Sequence, residues 1–162
     1  MSNNSLSVII LAAGKGSRMK SDLPKVMHKV AGCEMINHVI NNAKILKPKN
    51  INIIASSEIM QYCNDIKQDH SDINLNFIIQ HEKLGTGHAL KIALQNITQQ
   101  DLGQKIIILY ADTPLVSSQT IDNLIAMFLY SVIQFHVLYI SYQLYLRIQL
   151  SHQLLFLYLH IL

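Results

Sequence analysis

The chain has 162 residues, which is enough for one domain with a hydrophobic core, and its formal net charge is only +3. The basic residues are scattered along the sequence, so the composition gives no indication of nucleic-acid binding. No basic segment precedes the first apolar run, and Cys33 and Cys63 form no CxxC pair. We therefore expect no secretory signal peptide, and two reduced, partly buried thiols in a cytoplasmic protein.

Apolar runs of strand length alternate with longer amphipathic stretches as far as about residue 128. Strands are predicted from short apolar runs at residues 6–12, 51–55, 76–80 and 105–110. Helices are predicted from apolar side chains that recur every three or four positions, at residues 33–46, 57–68, 86–97 and 117–128. Ser117 or Ser118 can cap the last of these helices.

This alternation of strands and helices predicts an α/β fold with a mostly parallel sheet and helices on both faces. Ligands of such folds bind at the carboxyl ends of the strands. Segments rich in glycine or polar residues follow the first, third and fourth predicted strands, at residues 11–19, 80–89 and 110–115. We therefore expect these three segments to meet at one binding site.

The first segment is a glycine loop with the sequence Leu11-Ala12-Ala13-Gly14-Lys15-Gly16-Ser17-Arg18-Met19. Its small residues leave backbone N–H groups free to approach an anion closely. The loop is not a P-loop, because GxxxxGK[ST] is absent, and it lacks the third glycine of the dinucleotide fingerprint. Arg18 and Lys25 are candidate phosphate ligands, and Pro24 stiffens the segment before Lys25. A simple connecting turn with solvated surface cations is the alternative.

The second segment has the sequence Gln80-His81-Glu82-Lys83-Leu84-Gly85-Thr86-Gly87-His88-Ala89. The Gln80 amide offers a donor and an acceptor, which can read the edge of a nucleobase. Gly85 lets the backbone approach a planar ligand, and Thr86 can cap the following helix. His81 and His88 have no zinc-site spacing with the cysteines, so we interpret them as surface or packing residues.

The third segment is Tyr110-Ala111-Asp112-Thr113-Pro114-Leu115, at the end of the fourth strand. A carboxylate in the position of Asp112 can bind Mg²⁺ through one oxygen while the metal keeps waters and phosphate oxygens. The alternative is a turn or cap residue stabilised by backbone donors.

These segments, with Ser21-Asp22-Leu23-Pro24-Lys25-Val26, closely resemble the N-terminal uridylyltransferase domain of the bacterial bifunctional N-acetylglucosamine-1-phosphate uridyltransferase/glucosamine-1-phosphate acetyltransferase family. The resemblance covers roughly residues 6–127. It implies a Rossmann-like nucleotidyltransferase fold. It also implies an enzyme that converts UTP and N-acetylglucosamine 1-phosphate to UDP-N-acetylglucosamine and pyrophosphate. That product is a precursor of peptidoglycan and lipopolysaccharide.

The resemblance also implies roles for individual residues. Arg18 and Lys25 would be catalytic, with Arg18 on the departing phosphates and Lys25 on the reacting phosphates. Asp112 would hold Mg²⁺. Uracil would be recognised by Gln80, Gly85 and Thr86. The other substrate-binding residues would be Leu11, Ala12, Ala13, Gly14, Tyr110 and Ala111, where the family usually has glycine in place of Ala111.

The sequence changes character from Phe128 to Leu162, where Arg147 is the only formally charged residue and glycine and proline are absent. No family-like sequence follows about Met127. We therefore expect a partial uridylyltransferase domain at residues 1–127 with an incomplete second half, a divergent apolar tail at 128–162, and no acetyltransferase domain. Our hypothesis is that the tail is a frameshifted reading or the remnant of a decayed gene. The alternatives are a membrane-spanning helix, which the interrupting Gln, His and Arg residues disfavour, and ordinary packed elements.

Three functional hypotheses follow. The first is a truncated uridylyltransferase domain that retains part of a UTP–Mg²⁺ site. The second is a non-catalytic remnant that binds nucleotide weakly or not at all. The third, a nucleotidyltransferase for another sugar or nucleotide, is disfavoured by Gln80 and residues 84–89.

Overall fold

The computed structural model describes residues 6–14, 16, 19–103 and 105–128. The predictions for Lys15, Arg18 and the tail after residue 128 lie outside the described residues. Six strands and five α-helices follow one another along the described chain, with a 3-10 helix (Lys25–Met27) between the first and second strands. They are β1 (Leu6–Leu11), β2 (Lys29–Val30), β3 (Cys33–Glu34), α1 (Met35–Ile45), β4 (Asn50–Ala55), α2 (Ser57–Met60), α3 (Cys63–Asp69), β5 (Leu75–Ile79), α4 (Thr86–Asn96), β6 (Lys105–Tyr110) and α5 (residues 118–128).

The main sheet has four strands in the order β5-β4-β1-β6, and every pair in it is parallel. β1 lies between β4 and β6, so that Val8 is aligned with Ile51 on one side and Ile107 on the other. The chain therefore leaves β1 toward β4 and later returns to the other side of β1 with β6. This change of direction at β1 is the arrangement that places ligands beyond the strand ends in α/β proteins. The predicted α/β class and parallel sheet are confirmed.

Each face of the sheet packs against a separate hydrophobic core. The larger core joins the sheet to α1, α2, α3 and α5, and includes Ile10, Ile36, Ile40, Ile53 and Ile121. The smaller core lies under α4, where Ala89, Ala93 and Ile97 contact strand residues such as Ile9 and Ile54. β1 contributes Val8 and Ile10 to the larger core and Ile9 and Leu11 to the smaller one, which explains why its sequence is apolar from Val8 to Leu11.

Two local differences from the sequence prediction have identifiable backbone causes. Ala31 and Gly32 both have positive φ, 50° and 83°, and these values close a two-residue hairpin between β2 and β3. The predicted first helix therefore begins at Met35 rather than at Cys33. The predicted helix at 57–68 is divided into α2 and α3, because Tyr62 adopts turn dihedrals, φ −96° and ψ 0°.

Other local predictions agree with the structure. Cys33 and Cys63 are free thiols, and both are half-buried. Burial raises the pKa of the Cys33 thiol, as do the neighbouring carboxylates of Glu34 and Asp69. Ser117 caps α5, since its hydroxyl accepts a hydrogen bond from the Thr120 backbone N–H at 3.2 Å. None of the described helices is long and apolar enough to cross a membrane.

Candidate active site

The carboxyl ends of β1, β5 and β6 open into one cavity of about 430 Å³. β5 and β6 are the two outer strands of the sheet, so their ends are about 14 Å apart at the usual strand spacing. The cavity therefore extends across the whole carboxyl edge of the sheet. Its lining residues are Leu11, Ala12, Ala13, Gly14, Lys25, Val26, Gln80, Lys83, Gly85, Thr86, Ala89, Tyr110 and Asp112.

The floor of the cavity is the start of the glycine loop. Leu11, Ala12, Ala13 and Gly14 all line it, and the Ala12 N–H donates to the carbonyl of Ile54 at 2.8 Å, which extends the β1–β4 pairing by one residue. No atom lies within 4 Å of the position that a Gly14 side chain would take. The loop thus leaves open space where a ligand can contact the backbone.

Gly16 is required for the close packing between the glycine loop and Lys25. Its φ is +57°, and an added Cβ would lie 2.7 Å from the Lys25 Cβ. Lys25 begins a 3-10 helix, Lys25–Met27, in which the Met27 N–H donates to the Pro24 carbonyl at 2.9 Å. The loop and this turn therefore hold the base of the Lys25 side chain at the cavity wall.

Lys25 and Asp112 form an ion pair in the cavity wall, although 87 residues separate them in sequence. The Lys25 Nζ lies 2.6 Å from Asp112 Oδ2. About a third of each side chain is exposed, at 32% and 36%. An ion pair this exposed contributes little to the free energy of unfolding. Each group can therefore leave the other and bind a charged ligand with little loss of stability. The strand-end rule predicts the glycine loop and Asp112 at one edge of the sheet, and Lys25 packs against that loop.

Ala111 lies between two cavity residues but does not line the cavity itself. It is fully buried and belongs to the larger core, while Tyr110 and Asp112 line the cavity. Its N–H donates to the Leu11 carbonyl at 3.0 Å. The Ala111 methyl group therefore packs into the protein and does not face the cavity. The binding role predicted for Ala111 has no side-chain contact with the cavity.

Gln80 closes the opposite end of the cavity and is buried, with 4% of its surface exposed. Its Nε2 lies 3.0 Å from His88 Nδ1 and 3.4 Å from the Gly85 carbonyl oxygen. His88 Nδ1 is also 3.0 Å from the Glu82 carbonyl oxygen. The histidine predicted to be a packing residue thus contacts the amide predicted to read a base.

Gly85 and Thr86 start α4 differently from the prediction. Gly85 occupies the cap position with φ 93° and ψ −178°, a conformation that is essentially restricted to glycine. Thr86 is the first residue of the helix, and no side-chain hydrogen bond caps the helix there. The predicted capping role of Thr86 is therefore wrong, and Thr86 instead lines the cavity.

Lys83 is a cation of the cavity wall that sequence reasoning did not single out. Its Nζ donates to Glu58 Oε1 at 2.9 Å. Hydrogen bonds from the Ser56 side chain and from Lys83 lower the pKa of Glu58 to about 2. Glu58 follows a different strand, so no local pattern in residues 80–89 could have revealed this pair.

Among the described residues, no group of three or more His, Cys, Asp or Glu side chains could hold a metal ion by itself. Asp112 is the carboxylate that lines the cavity, and its Oδ2 already contacts a cation, the Lys25 ammonium. A single carboxylate suits Mg²⁺ that arrives with phosphate oxygens and waters as its other ligands. The donor set thus fits a nucleotide-bound cation and does not form a closed metal cage.

Comparison with known proteins shows which family shares this arrangement. The MobA-like NTP transferase domain matches residues 8–143. The chain belongs to this family. The nucleotidyltransferase kinship predicted from the three segments is therefore confirmed.

A curated relative of this NTP transferase domain is the bifunctional protein GlmU of Stutzerimonas stutzeri (strain A1501). The two sequences are 41% identical over 121 residues, which cover 75% of this chain and 25% of GlmU. The chain thus spans about a quarter of the length of that relative.

Two solved structures share the fold. One is 4-diphosphocytidyl-2C-methyl-D-erythritol synthase from Anaerococcus prevotii DSM 20548, with a TM-score of 0.60, 16% identity, and coverage of 73% of this chain and 48% of that one. The other is HddC from Yersinia pseudotuberculosis complexed with GMP-PN, with a TM-score of 0.56 and 28% identity. That match covers 65% of this chain and 47% of HddC.

Proposed function

We propose that this chain binds UTP with Mg²⁺ at the carboxyl edge of its sheet and is the nucleotide-binding part of a sugar-1-phosphate uridylyltransferase. The observation that carries the proposal is the single cavity lined by the segments after β1, β5 and β6. Its two ends differ chemically: Lys25 and Asp112 lie at one end, and Gln80, Gly85 and Thr86 at the other. This polarity suits a ligand with charged phosphates at one end and a planar base at the other.

The phosphate end would be formed by the glycine loop and its cations. Backbone groups of residues 11–14 would contact the nucleoside and phosphates, and Lys25 would exchange Asp112 for a phosphate oxygen. Asp112 would hold Mg²⁺, whose charge offsets that of the phosphates when it is bound. Arg18, proposed from sequence alone, would contact the departing phosphates.

The proposed reaction is an in-line displacement. A phosphate oxygen of N-acetylglucosamine 1-phosphate attacks the α-phosphorus of UTP, and the bond to the oxygen that bridges to the β-phosphate breaks. Pyrophosphate leaves, and UDP-N-acetylglucosamine is the product. Lys25 would stabilise the negative charge that develops on the transferred group. We also propose a cytoplasmic location, which the free thiols support.

The identity of the acceptor and the ability to turn over are proposed separately from nucleotide binding. The reason is that the chain matches only about a quarter of GlmU. The resemblance of the three segments to the uridylyltransferase family is the ground for UTP and the amino-sugar phosphate as substrates, and the 41% identity with GlmU supports the kinship. We propose that residues up to about 127 are the nucleotide-binding part.

A thermal-shift titration of the purified chain with UTP and MgCl₂, with CTP as the comparison, tests binding. We expect a saturable rise in Tm that is larger with UTP, and Asp112→Asn should reduce the rise that depends on Mg²⁺. An equal response to both nucleotides, or none, would contradict the proposal. Release of pyrophosphate after N-acetylglucosamine 1-phosphate is added then separates a complete enzyme from a domain that only binds nucleotide.

A further inference from the structure

His88 lies in the first turn of α4 and contacts the side-chain amide of Gln80, which we propose binds the base. It is half-buried, and its Nδ1 is 3.0 Å from Gln80 Nε2. Gln80 follows β5 and lines the cavity, whereas His88 is not a cavity residue. Any effect of His88 on a ligand is therefore indirect, and Gln80 is the cavity side chain that His88 contacts.

The surroundings of the Gln80 amide determine which of its atoms faces His88. The same amide atom lies 3.4 Å from the Gly85 carbonyl oxygen, and a carbonyl oxygen can only accept a hydrogen bond. The atom between Gly85 and His88 must therefore be the amide nitrogen, whose two N–H groups supply both bonds. In this arrangement His88 Nδ1 is the acceptor, and its ring proton is on Nε2.

The Glu82 carbonyl oxygen also lies 3.0 Å from Nδ1, and because a carbonyl only accepts, this contact is a hydrogen bond only in the other tautomer, with the proton on Nδ1. If Nδ1 carried the proton, it would donate to Glu82 and repel the amide N–H of Gln80. The Gln80 amide would then rotate by about 180°, so that its oxygen faces His88. Its nitrogen, instead of its oxygen, would be left without a bond to His88 or Gly85. The ring nitrogen of His88 thus selects between two orientations of Gln80.

We propose that His88 is a positioning residue that fixes the Gln80 amide with Oε1 free to accept a hydrogen bond from the base, and so makes the site select uracil over cytosine. The inference rests on the proposed function. Uracil carries an N–H donor at N3, where cytosine has a lone pair. A fixed acceptor favours the first ring and repels the second, while an amide free to rotate serves both.

The test compares the Kd of UTP and of CTP, each with MgCl₂, for the whole chain and its variants. His88→Leu should lower the preference for UTP about five- to tenfold, the value of one hydrogen bond. His88→Asn, whose side-chain oxygen can accept from Gln80, should restore most of it. His81→Leu is the matched control, because His81 is exposed and is not a cavity residue.

A double variant separates positioning from packing. In a Gln80→Ala background, His88→Leu should leave the UTP/CTP ratio unchanged, because the group through which it acts is gone. If His88→Leu weakens both nucleotides equally, or lowers the ratio without Gln80, the proposal is overturned. If the unaltered chain does not prefer UTP, the proposed function fails first, and this inference fails with it.

A measurement without substitution gives an independent result. Nitrogen-15 NMR of the histidine rings should show the His88 proton on Nε2 in the ligand-free chain. A proton on Nδ1 would contradict the assigned orientation of Gln80, whatever the nucleotide preference.

Discussion

Polar side chains lie at both ends of the sheet, but those at the carboxyl edge are far more exposed than those at the amino end. At the carboxyl edge, Lys25 and Asp112 contact each other in the cavity wall and remain about one-third exposed. At the amino end, Asn50 and Asn52 are 1% exposed and are joined by hydrogen bonds within the protein.

The amino-end polar residues form a continuous network. Asn76 Nδ2 donates to Asn52 Oδ1 at 3.2 Å, and Asn52 Nδ2 donates to Asn50 Oδ1 at 3.3 Å. Asn50 Nδ2 and the Ser7 hydroxyl both donate to the Asp101 carbonyl oxygen, at 3.3 and 3.0 Å. These groups satisfy one another, so we expect them to hold the strands and the loop before β6 together.

The difference teaches that polar residues on a sheet indicate a binding site only where their partners are exchangeable. A buried network loses stability when one member is removed, because its neighbours are left without partners. An exposed ion pair loses little stability, but it can meet a ligand. Substitutions at the two ends should therefore have opposite effects on binding and on stability.

Lys25→Ala should give the largest change at the carboxyl edge. Loss of a charge-assisted hydrogen bond of about 1.5–3 kcal/mol corresponds to a Kd for UTP·Mg²⁺ that is about 10- to 100-fold higher. The free energy of unfolding should change by less than about 1 kcal/mol. Isothermal titration and urea unfolding measure the two quantities. Lys91→Ala, at an exposed lysine of α4, is the control and should change neither. An unchanged Kd would argue against Lys25 as a phosphate ligand.

Asn52→Ala should have the converse effect at the amino end. It removes a donor to Asn50 and an acceptor from Asn76, and should lower the free energy of unfolding by about 1–3 kcal/mol. The Kd for UTP should stay the same, since Asn52 does not line the nucleotide cavity. Asn41→Ala, at an exposed position of α1, is the matched control for urea unfolding. A variant as stable as the control would show that the network is dispensable.

Gly16→Ala should cost less, about 1–2 kcal/mol, because alanine is strained at a φ of +57°. The added methyl group must also displace Lys25, so UTP affinity should fall as well. Gly14→Ala is the comparison for stability, since its side chain would meet no atom within 4 Å. If the two variants unfold at the same urea concentration, the packing between the loop and Lys25 is not as described.

The titration of His70 should give the smallest effect, measured as a dependence of the free energy of unfolding on pH. Burial and the nearby Lys44 ammonium lower the pKa of His70 in the folded chain below its usual 6.5. The unfolded chain therefore binds more protons as the pH falls below 6.5, and stability decreases until the folded-state pKa is passed. Urea unfolding between pH 7.5 and 5.5 should show this decrease, and His70→Gln should reduce it. An equal pH dependence in both proteins would rule out His70 as its source.

Much of this arrangement was predictable because it depends on local pattern. The strands buried on both faces are recognisable as apolar runs. The rule that ligands bind at strand ends predicts that Gly14, Gln80 and Asp112 belong to one site. Strand alternation would also have placed Ala111 opposite Tyr110 and Asp112, and that signal went unused.

The remaining features depend on contacts between distant elements. Lys83 meets Glu58 only because α2 and the segment after β5 are neighbours in the folded sheet. The hairpin between β2 and β3 has two residues in each strand, too few for any periodicity to show. The contact between His88 and Gln80 depends on the backbone conformation of Gly85, where α4 begins. A glycine in the sequence indicates that an unusual backbone conformation is allowed, but it does not indicate which side chains then come into contact.

Hydrogen–deuterium exchange of the whole chain, with and without UTP and MgCl₂, tests most directly whether three strand-end segments form one nucleotide site. We predict that UTP protects residues 11–14, 80–86 and 110–113 together, with the same dependence on concentration, and leaves the amino-end residues 50–52 and 101–103 unchanged. Protection of one segment without the others, or protection confined to the amino end, would contradict the account.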